Sequence, residues 1–393
     1  MPALFLELFS EEIPARMQVR AADDLARLAG EALAALAPSG MRRFSGPRRI
    51  ALAAEVAGSV AAQTSSERGP RIGAPEQALA GFLRKHGAAR DDLREEGAFW
   101  VLEKSAPTIP AATLIAQVLP TLLRRFPWPK SMRWGTSRFT WVRPLRRIVC
   151  LLDREVVRFD LRDGEDDGHG LVSGNLTEGH RFLAPGAVAV GSAEEWQATL
   201  RSRRVIADAA ERRAVVAAGI ARVAEAEGFS VIPDEALLDE VSGLVEWPVP
   251  MAGRIDPAFM DLPPEVMQVS MRVNQRVFAL RDAAGAMAPA FAFAANIEPD
   301  DGGAAIVAGN ERVLRARFAD ARHFWDLDRK TRLADRVAAL DGVTFHAKLG
   351  SQRKRVERIG RAAFNISGRV AAAMRVGDPA EFGPQVARAA LLA

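Results

Sequence analysis

The first half of the chain alternates apolar and polar residues with the two-residue period of strands, broken by stretches with the longer period of helices. This pattern predicts strands at 3–8, 48–56, 98–104, 147–152 and 155–161, and helices at 15–37, 76–86 and 110–125. Pro38-Ser39-Gly40 is expected to end the first helix in a turn. Exposed loops are predicted at 63–75, which is polar, and at 163–170, which is acidic and glycine-rich.

The second half of the chain has longer helical stretches and one hairpin pattern. A strand at 187–190 precedes helices at 193–203 and 207–227. The stretch 264–296 predicts a helix and then a hairpin, whose strands are 275–281 and 288–295. A helix at 309–328 follows, and 331–392 has helical spacing throughout.

Helices and antiparallel strands are segregated along the chain, an order typical of α+β proteins rather than of a doubly wound parallel sheet. We therefore expect a multidomain α+β fold with mixed or antiparallel sheets, packed helices and a helical C-terminal part. The length predicts two or three domains, which we place at 1–185, 186–330 and 331–393. The last helix reaches Arg388–Ala393 without a glycine cap, so the helical region is expected to be truncated.

Composition excludes several classes of protein. The chain has 393 residues, 49% of them hydrophobic and 26% charged, which excludes a disordered or collagen-like protein. It has no uncharged apolar run long enough to span a membrane, and its start lacks the basic and apolar regions of a signal peptide. A single cysteine, Cys150, excludes a disulfide framework. A cytoplasmic protein is expected.

Positive charge is informative here only where it is clustered. Lys and Arg number 53 against 49 Asp and Glu, a net charge of +4 that does not by itself require a polyanionic partner. Only six of the basic residues are lysines. Because abundant arginine also follows from codon bias, a single arginine says little about function.

The segment 126–147 is the most distinctive cluster, because basic residues alternate in it with aromatic rings. Together these supply charge for phosphates and faces on which bases can stack. No Asp or Glu lies between Pro127 and Arg147, so local ion pairing is not available. We favour RNA contact over the alternative, which is a buried aromatic corner. The residues concerned are Lys130, Arg133, Arg138, Arg143, Arg146 and Arg147, with Trp128, Trp134, Phe139 and Trp141.

The helix at 309–328 offers a second basic surface. At 100° per residue, Arg312, Arg315 and Arg322 fall beside an apolar arc that contains Leu314 and Phe318. A phosphate-binding surface and a solvated helix face with local ion pairs both account for this arrangement, and the sequence leaves the two open.

Motifs for nucleotide, metal and hydrolytic chemistry are missing from the sequence. It contains no phosphate-binding G-x-x-x-x-G-K-[ST] loop, no G-x-G-x-x-G after a strand and no G-x-S-x-G elbow. The five histidines lie far apart, without the spacing of a zinc site. We therefore predict no catalytic residue, no metal and no cofactor bound by this chain.

Nine short motifs occur in one order between residue 6 and about residue 360, and jointly they are specific. They are Leu6–Ala15, Gly46–Ala51, Lys130–Gly135, Phe139–Pro144, Gly179–Phe182, Leu237–Pro248, Pro264–Phe278, Gly309–Asp320, and Leu349–Gly350 with Arg358-Ile359. On these motifs the chain resembles the N-terminal portion of the β subunit of the bacterial heterotetrameric glycyl-tRNA synthetase. It departs from the family pattern at Asn274, where the family has His, at Val277, where it has Tyr, and at Phe9-Ser10, where it has Gly-Thr.

The resemblance implies a division of labour within an α2β2 assembly. The α subunit is expected to hold the active site and to use ATP and Mg there, while the β subunit binds tRNA(Gly) and the α subunit. Neither DNA nor a membrane is an expected partner. The implied reaction joins glycine to tRNA at the expense of ATP, giving glycyl-tRNA, AMP and pyrophosphate.

The basic clusters and the family motifs together predict a set of tRNA-contacting residues. They are Arg48, Arg49, Lys130, Arg133, Trp134, Arg143, His180, Arg181, Arg272, Gln275, Arg276, Arg312 and Arg315. Two alternatives from other classes remain open at this point. One is an editing module that hydrolyses mischarged tRNA, and the other is an assembly scaffold without tRNA function.

Overall fold

The computed structural model describes residues 1–374 and 378–393, which form two compact units. Unit 1 comprises Met1–Arg254 and Met271–Glu311, and unit 2 comprises Ile255–Ser270 and Arg312–Ala393. The predicted α+β class is confirmed, since small antiparallel sheets are combined with helices and the last part of the chain is mostly helical. The division into three regions stays a prediction.

The first part of unit 1 contains most of its strands. These are β1 (Ala3–Ser10), β2 (Ser39–Gly46), β3 (Arg49–Glu55), β4 (Ser59–Val60), β5 (Gln63–Arg71), β6 (Leu93–Glu96), β7 (Phe99–Ala106), β8 (Ile109–Pro110), β9 (Leu145–Leu152), β10 (Glu155–Val156), β11 (Ser173–Gly174), β12 (Leu176–Glu178) and β13 (Ala187–Ala189). Its helices are α1 (Ala15–Ala32), α2 (Glu76–His86) and α3 (Ala111–Arg124). Short 3-10 turns lie at Ala34–Leu36, Arg90–Asp92 and Gly168–Gly170.

The central sheet of unit 1 has the strand order β10-β9-β1-β3-β2, with antiparallel pairing and with β11 added in parallel to β9. Strand β1 lies in its middle and is buried from Leu4 to Ser10. Leu4, Leu6 and Leu8 pack with α1 and α3 on one face, whereas Phe5 packs against Trp196 on the other. Both faces are covered, so a nearly continuous apolar run forms the strand.

A small lobe is inserted into unit 1 between β4 and β8. Its three-stranded sheet has the order β5-β7-β6, and α2 packs against β5. Strand β5 occupies most of the stretch 63–75, for which a loop is predicted, so that prediction is wrong. Backbone pairing with β7 makes the strand, while its polar side chains are mostly exposed and give no apolar alternation.

Two further strands differ from the sequence prediction. Strand β2 begins at Ser39, where only a turn is predicted, because its polar first half pairs at the edge of the sheet with β3. Strand β10 stops at Val156 rather than at 161, since only Glu155 and Val156 pair with β9. Apolar spacing alone does not show how far backbone pairing extends.

The rest of unit 1 is a second sheet covered by helices. The elements after β13, including one in unit 2, are α4 (Ala193–Ser202), α5 (Ala209–Ala226), β14 (Ser230–Val231), α6 (Glu235–Ser242), β15 (Val249–Arg254), α7 (Pro264–Val269), a π-helical turn (Ser270–Gln275), β16 (Phe278–Arg281) and β17 (Met287–Ala295). The sheet order is β14-β16-β17-β15, all antiparallel, and Val216 and Ile220 of α5 lie in its core. The predicted hairpin is confirmed, although its first strand starts at Phe278 because the π-helical turn precedes it.

Unit 2 contains α7, a 3-10 turn at Pro257–Phe259 and the C-terminal elements. These are the end of α8 (Ala304–Lys330), α9 (Leu333–Arg336), a 3-10 turn (Val337–Gly342), β18 (Thr344–His346), β19 (Gly350–Ser351), α10 (Gln352–Met374) and α11 (Pro379–Leu392). The prediction that 331–392 is helical throughout is wrong at the hairpin formed by β18 and β19. Within the described residues, no helix is both long and apolar enough to cross a membrane.

Candidate nucleic-acid interface

The segment 126–147 folds back on itself around a buried aromatic cluster in unit 1. Met132 and Trp141 form an antiparallel bridge, in which the Met132 amide donates to the Trp141 carbonyl over 2.8 Å. Trp141 is buried and packs against Phe126 and Trp128, with 5.0 Å between ring centroids in both pairs. These aromatic rings therefore build core, while the basic residues between them stay at the surface.

Trp134 is the aromatic residue of this segment whose role the sequence leaves open. Its ring is half-buried and lies flat against the imidazole of His169, with 4.1 Å between centroids and 13° between planes. The ring of Phe139 meets it edge-on at 5.8 Å. Part of the indole therefore packs against the protein and part stays accessible, so the geometry allows both the anchoring and the base-stacking role.

The acidic loop holds this segment in place. Asp166 is 8% exposed, and its carboxylate accepts hydrogen bonds from the Arg138 amide at 3.1 Å and from the Arg124 guanidinium at 2.9 Å. Hydrogen bonding by Ser137, together with these donors, holds the pKa of Asp166 well below its usual range. The prediction that 163–170 is a solvated loop is therefore wrong at Asp166, because the neighbouring segment supplies buried donors.

Four of the exposed basic side chains of the segment pair with no carboxylate in the described part of the chain. We call them the exposed cation set: Lys130, Arg133, Arg138 and Arg143. The Arg133 guanidinium donates to the Ser137 carbonyl at 3.4 Å, and that of Arg143 to the Val142 carbonyl at 3.0 Å. No carboxylate among the described residues therefore neutralises their positive charge.

The last two basic residues of the segment are paired. Arg147 contacts the Glu178 carboxylate at 2.8 Å, and Arg146 contacts that of Glu11 at 3.6 Å. Both partners come from segments distant in sequence. Among the basic residues of the segment, only the exposed cation set is therefore without a carboxylate partner in the part of the chain that the structure describes.

Arg49, one of the predicted tRNA contacts, lies in the interior of unit 1 and is 2% exposed. Its guanidinium pairs with Glu7 and with Glu246, at 3.0 Å in each case. Burial raises the pKa of Glu7, and the charge of Arg49 opposes that shift. Arg49 therefore neutralises two buried carboxylates in this structure, and its predicted contact with RNA stays a prediction.

Arg48 is buried in the same way and is 7% exposed. Its guanidinium carbon lies 4.5 Å from the centre of the Phe9 ring. One guanidinium nitrogen lies 4.0 Å from a carboxylate oxygen of Glu178. Burial lowers the pKa of Arg48. Arg48 is buried in this structure, and its predicted contact with RNA stays a prediction.

His180 and Arg181 differ in exposure although they are neighbours. His180 is fully buried, and its Nδ1 accepts from the amides of Phe182 and Leu183 at 3.3 and 3.1 Å, so it shapes the turn. Arg181 is exposed but pairs with Glu11, and also with Glu12 at 2.8 Å. In this structure the histidine is not accessible to RNA, and the arginine is already neutralised.

Arg272, Gln275 and Arg276 lie at the π-helical turn of unit 1. Arg272 pairs with Asp234 at 3.3 Å and Arg276 with Glu240 at 3.1 Å, while Gln275 is half-buried. All three remain near the surface, so their predicted contact with tRNA stays a prediction.

The two departures from the family pattern at this turn have different surroundings. Asn274 is exposed, so its amide could still form hydrogen bonds with a partner. Val277 is only 3% exposed. The exchange of Tyr for Val therefore changes packing rather than a surface contact.

Arg312 and Arg315 belong to the part of α8 that lies in unit 2. Both are exposed, and Arg315 contacts Asp256 at 3.4 Å. Arg322 pairs with Asp261, so the solvated face with ion pairs is the better description of this helix surface at two of its three arginines.

Two residues of structural importance are not among the predicted tRNA contacts. Arg212 is 2% exposed and donates to the carbonyls of Ser242, Ile206 and Ser45 at 2.7–2.8 Å. Burial lowers its pKa to about 10. Glu246 belongs to the Glu-Trp-Pro motif but is the buried partner of Arg49 rather than a surface residue.

The structure thus divides the predicted residues into an exposed and a buried group. Lys130, Arg133, Arg143 and Trp134 are brought together with Arg138 in one segment, whereas Arg48, Arg49 and His180 are buried elsewhere in unit 1. Among residues 1–374 and 378–393, no group of three or more His, Cys, Asp or Glu side chains could hold a metal ion.

Comparison with known proteins identifies the family. Residues 4–393 match the family described as glycyl-tRNA synthetase beta subunit. The chain is 52% identical to the glycine–tRNA ligase beta subunit of Phenylobacterium zucineum, over 91% of this chain and 53% of that protein. It is 46% identical to that of Paracoccus denitrificans, over 100% of this chain and 57% of the relative.

These matches place the chain in the class of aminoacyl-tRNA synthetase subunits. Within that class, the chain belongs to the glycyl-tRNA synthetase beta subunit family. It spans about half the length of the curated relatives it matches. The resemblance found in the sequence motifs is therefore confirmed.

Proposed function

We propose that this chain binds tRNA(Gly) and the α subunit of a glycine–tRNA ligase in the cytoplasm, and that it supports glycylation without a catalytic residue of its own. The reaction would convert ATP, glycine and tRNA into AMP, pyrophosphate and glycyl-tRNA, with ATP and Mg used on the α subunit of an α2β2 assembly. Membership of the beta subunit family supports a partner subunit.

The observation that carries the tRNA-binding part is the unpaired positive charge of the exposed cation set. A salt-bridged arginine must give up its carboxylate before it can hold a phosphate, whereas these four side chains have no such partner in the described part of the chain. Neutralising phosphates releases counterions, which makes this kind of contact strongly dependent on salt. Trp134 adds a partly accessible aromatic face beside the charges.

The experiment measures tRNA(Gly) affinity at several salt concentrations for the variant Lys130→Ala/Arg133→Ala/Arg143→Ala. We expect weaker binding and a slope of log K against log salt that is shallower by about 0.7 to 0.9 for each phosphate contact removed. The matched control is Arg27→Ala/Arg42→Ala/Arg213→Ala, which removes three ion-paired arginines, of which Arg213 is half-buried and the other two are exposed. Equal losses in both variants would contradict a specific surface.

The two alternatives give different results in simple assays. An editing module would deacylate mischarged tRNA in the absence of the α subunit. An assembly scaffold would bind the α subunit while showing weak tRNA affinity that is insensitive to the triple substitution. Binding of tRNA that depends on the exposed cation set favours the proposed function over both.

A further inference from the structure

The inserted lobe is attached to unit 1 by a single pair of short strands. Ser59 pairs with Pro110 and Val60 with Ile109, so the chain enters and leaves the lobe at one place. None of the described residues between 61 and 108 belongs to the three large apolar clusters of unit 1. The lobe therefore contributes little to the apolar cores of unit 1, and its surface residues can be considered separately from them.

One face of the lobe's sheet is covered and the other is open. Helix α2 lies on the covered face, where the Phe82 ring comes so close to Gly69 that a Cβ there would be 3.0 Å from it. The pairing of β5 with β7 is irregular between Arg68 and Arg71, so the face to which Arg68 belongs is read from its partners in the register and from its contact with the Phe99 ring. In the register of the sheet Arg68 lies in one row with Val101 and Arg94. These three side chains belong to the open face, on which the two arginines are exposed and Val101 between them is only 5% exposed.

An aromatic ring on this open face carries two arginines. Phe99 is two residues from Val101 in β7 and so lies on the same face. The guanidinium carbon of Arg68 is 3.6 Å from the centre of the Phe99 ring, and that of Arg71 is 5.5 Å from it. Neither arginine pairs with a carboxylate in the described part of the chain, and both are exposed.

The third arginine of the face, Arg94, differs from the other two because it is ion-paired. Arg94 pairs with Glu96 at 2.7 Å and with Glu103 at 3.0 Å. Arg94 and its two glutamates together carry one negative charge, so the face has a net charge of +1, and its two arginines without a carboxylate partner in the described part of the chain both lie at the Phe99 ring. A planar guanidinium on an aromatic ring offers a stacking surface for a base and donors for a phosphate at once.

We propose that this open face of the lobe, formed by Arg68, Arg71 and Phe99, is a second RNA-contacting surface that takes unpaired nucleotides of the bound tRNA. The inference rests on the proposed function, since it requires that the chain binds tRNA. Unpaired nucleotides fit because their bases are free to stack on guanidinium planes, whereas stacked bases within a duplex are not. Charge complementarity favours RNA, because the face presents unpaired arginines rather than a broad apolar surface.

The test compares two variants that remove equal charge from the two faces of the lobe. Arg68→Ala/Arg71→Ala changes the open face, and the control Arg84→Ala/Lys85→Ala changes exposed residues in the last turn of α2. We expect the first to weaken tRNA(Gly) binding about tenfold and to lower the salt slope by about 1.4, for two single-strand phosphate contacts. The control should change the affinity by less than about twofold, because charges that do not contact the RNA act only through screened, long-range electrostatics.

A third and a fourth variant separate charge from stacking and keep the test independent of folding. Arg68→Lys/Arg71→Lys keeps the charges but removes the planes, so it should recover part of the lost affinity and not all of it. Replacing 61–108 by Asn-Gly between Val60 and Ile109 should reproduce the full loss, and thermal melting checks that the central sheet is intact.

The outcomes distinguish this inference from the proposed function. Equal losses in the open-face and α2 variants, or unchanged affinity in both the open-face variant and the lobe deletion, would overturn the inference. If the triple variant of the exposed cation set still weakens binding in that case, the proposed function stands without the lobe. If the wild-type chain does not bind tRNA, both fail together.

Discussion

The guanidinium of Arg49 stands between two carboxylates from distant parts of the chain, and no more than 3% of any of the three side chains is exposed. Removing the arginine would leave Glu7 and Glu246 buried without a counter-charge. We expect Arg49→Met to lower the free energy of unfolding by about 3–5 kcal/mol, measured by urea denaturation. Arg213→Met, at an exposed pair with Glu235, is the control and should change stability little.

The pH dependence of Arg49→Met follows from Glu7. Burial raises the Glu7 pKa and Arg49 opposes the shift, so the variant raises that pKa further. A carboxyl whose pKa is raised on folding stabilises the fold below its unfolded pKa, and this contribution is lost as pH rises through the folded pKa. The deficit of the variant should therefore be smaller near about pH 5 than near about pH 8. A deficit that grows on acidification would contradict the buried pair.

Trp134 combines packing and exposure, and substitution separates them. Because the ring is only half-buried against His169, Trp134→Ala should cost less stability than the about 3–5 kcal/mol of a fully buried tryptophan. It should also cost about 1–3 kcal/mol of tRNA affinity if a base stacks on the accessible part. Trp134→Phe should restore part of the affinity. A loss of stability with unchanged affinity would assign Trp134 to packing alone.

At the scale of elements, the acidic loop 163–170 supports the basic segment 126–147. Substitution of two glycines in this loop tests that support. Gly168 has φ of +59°, and a Cβ there would be 2.3 Å from the Leu161 carbonyl oxygen. Gly164 has φ of +60° with nothing within 4 Å. Gly168→Ala should destabilise by about 3 kcal/mol and weaken tRNA binding, because the loop that holds Arg138 shifts. Gly164→Ala should cost about 1 kcal/mol with affinity unchanged.

Elements with a strong apolar period could be predicted from the sequence, and polar ones could not. Helix α2 is found at Glu76–His86 as predicted, and β1 follows its apolar run. Strand β5 has no such run, because backbone pairing with β7 defines it and most of its side chains face solvent. The spacing of apolar residues indicates which side chains are buried, so it does not reveal a strand whose side chains are mostly exposed.

The candidate site could be predicted in part for the same reason. The segment 126–147 has no acidic residue of its own, and this is visible in the sequence. Which of its cations stay unpaired depends on distant carboxylates, since Arg146 and Arg147 pair with Glu11 and Glu178. The partners of Arg49 lie 42 and 197 positions away, and no local pattern announces them. The burial of Arg48 and Arg49 therefore becomes clear only from the fold.

At the scale of the whole molecule, the proposed division of labour predicts which reactions this chain performs. The chain alone should show no glycine-dependent exchange between ATP and pyrophosphate, and exchange should require the α subunit. Exchange by a preparation free of α subunit, assayed with labelled pyrophosphate, would contradict the division. The chain spans about half the length of its relatives, so the positive control is a full-length relative assayed together with the α subunit.

The most direct test of tRNA binding by this chain is ultraviolet crosslinking of its complex with tRNA(Gly), with the crosslinked peptides mapped by mass spectrometry. The account predicts crosslinked nucleotides on the peptide that contains Lys130 and Trp134. The lobe inference adds the peptide that contains Phe99. Crosslinks that fall only on other peptides, while the tRNA is demonstrably bound, would contradict the assignment of the exposed cation set as the tRNA-binding surface.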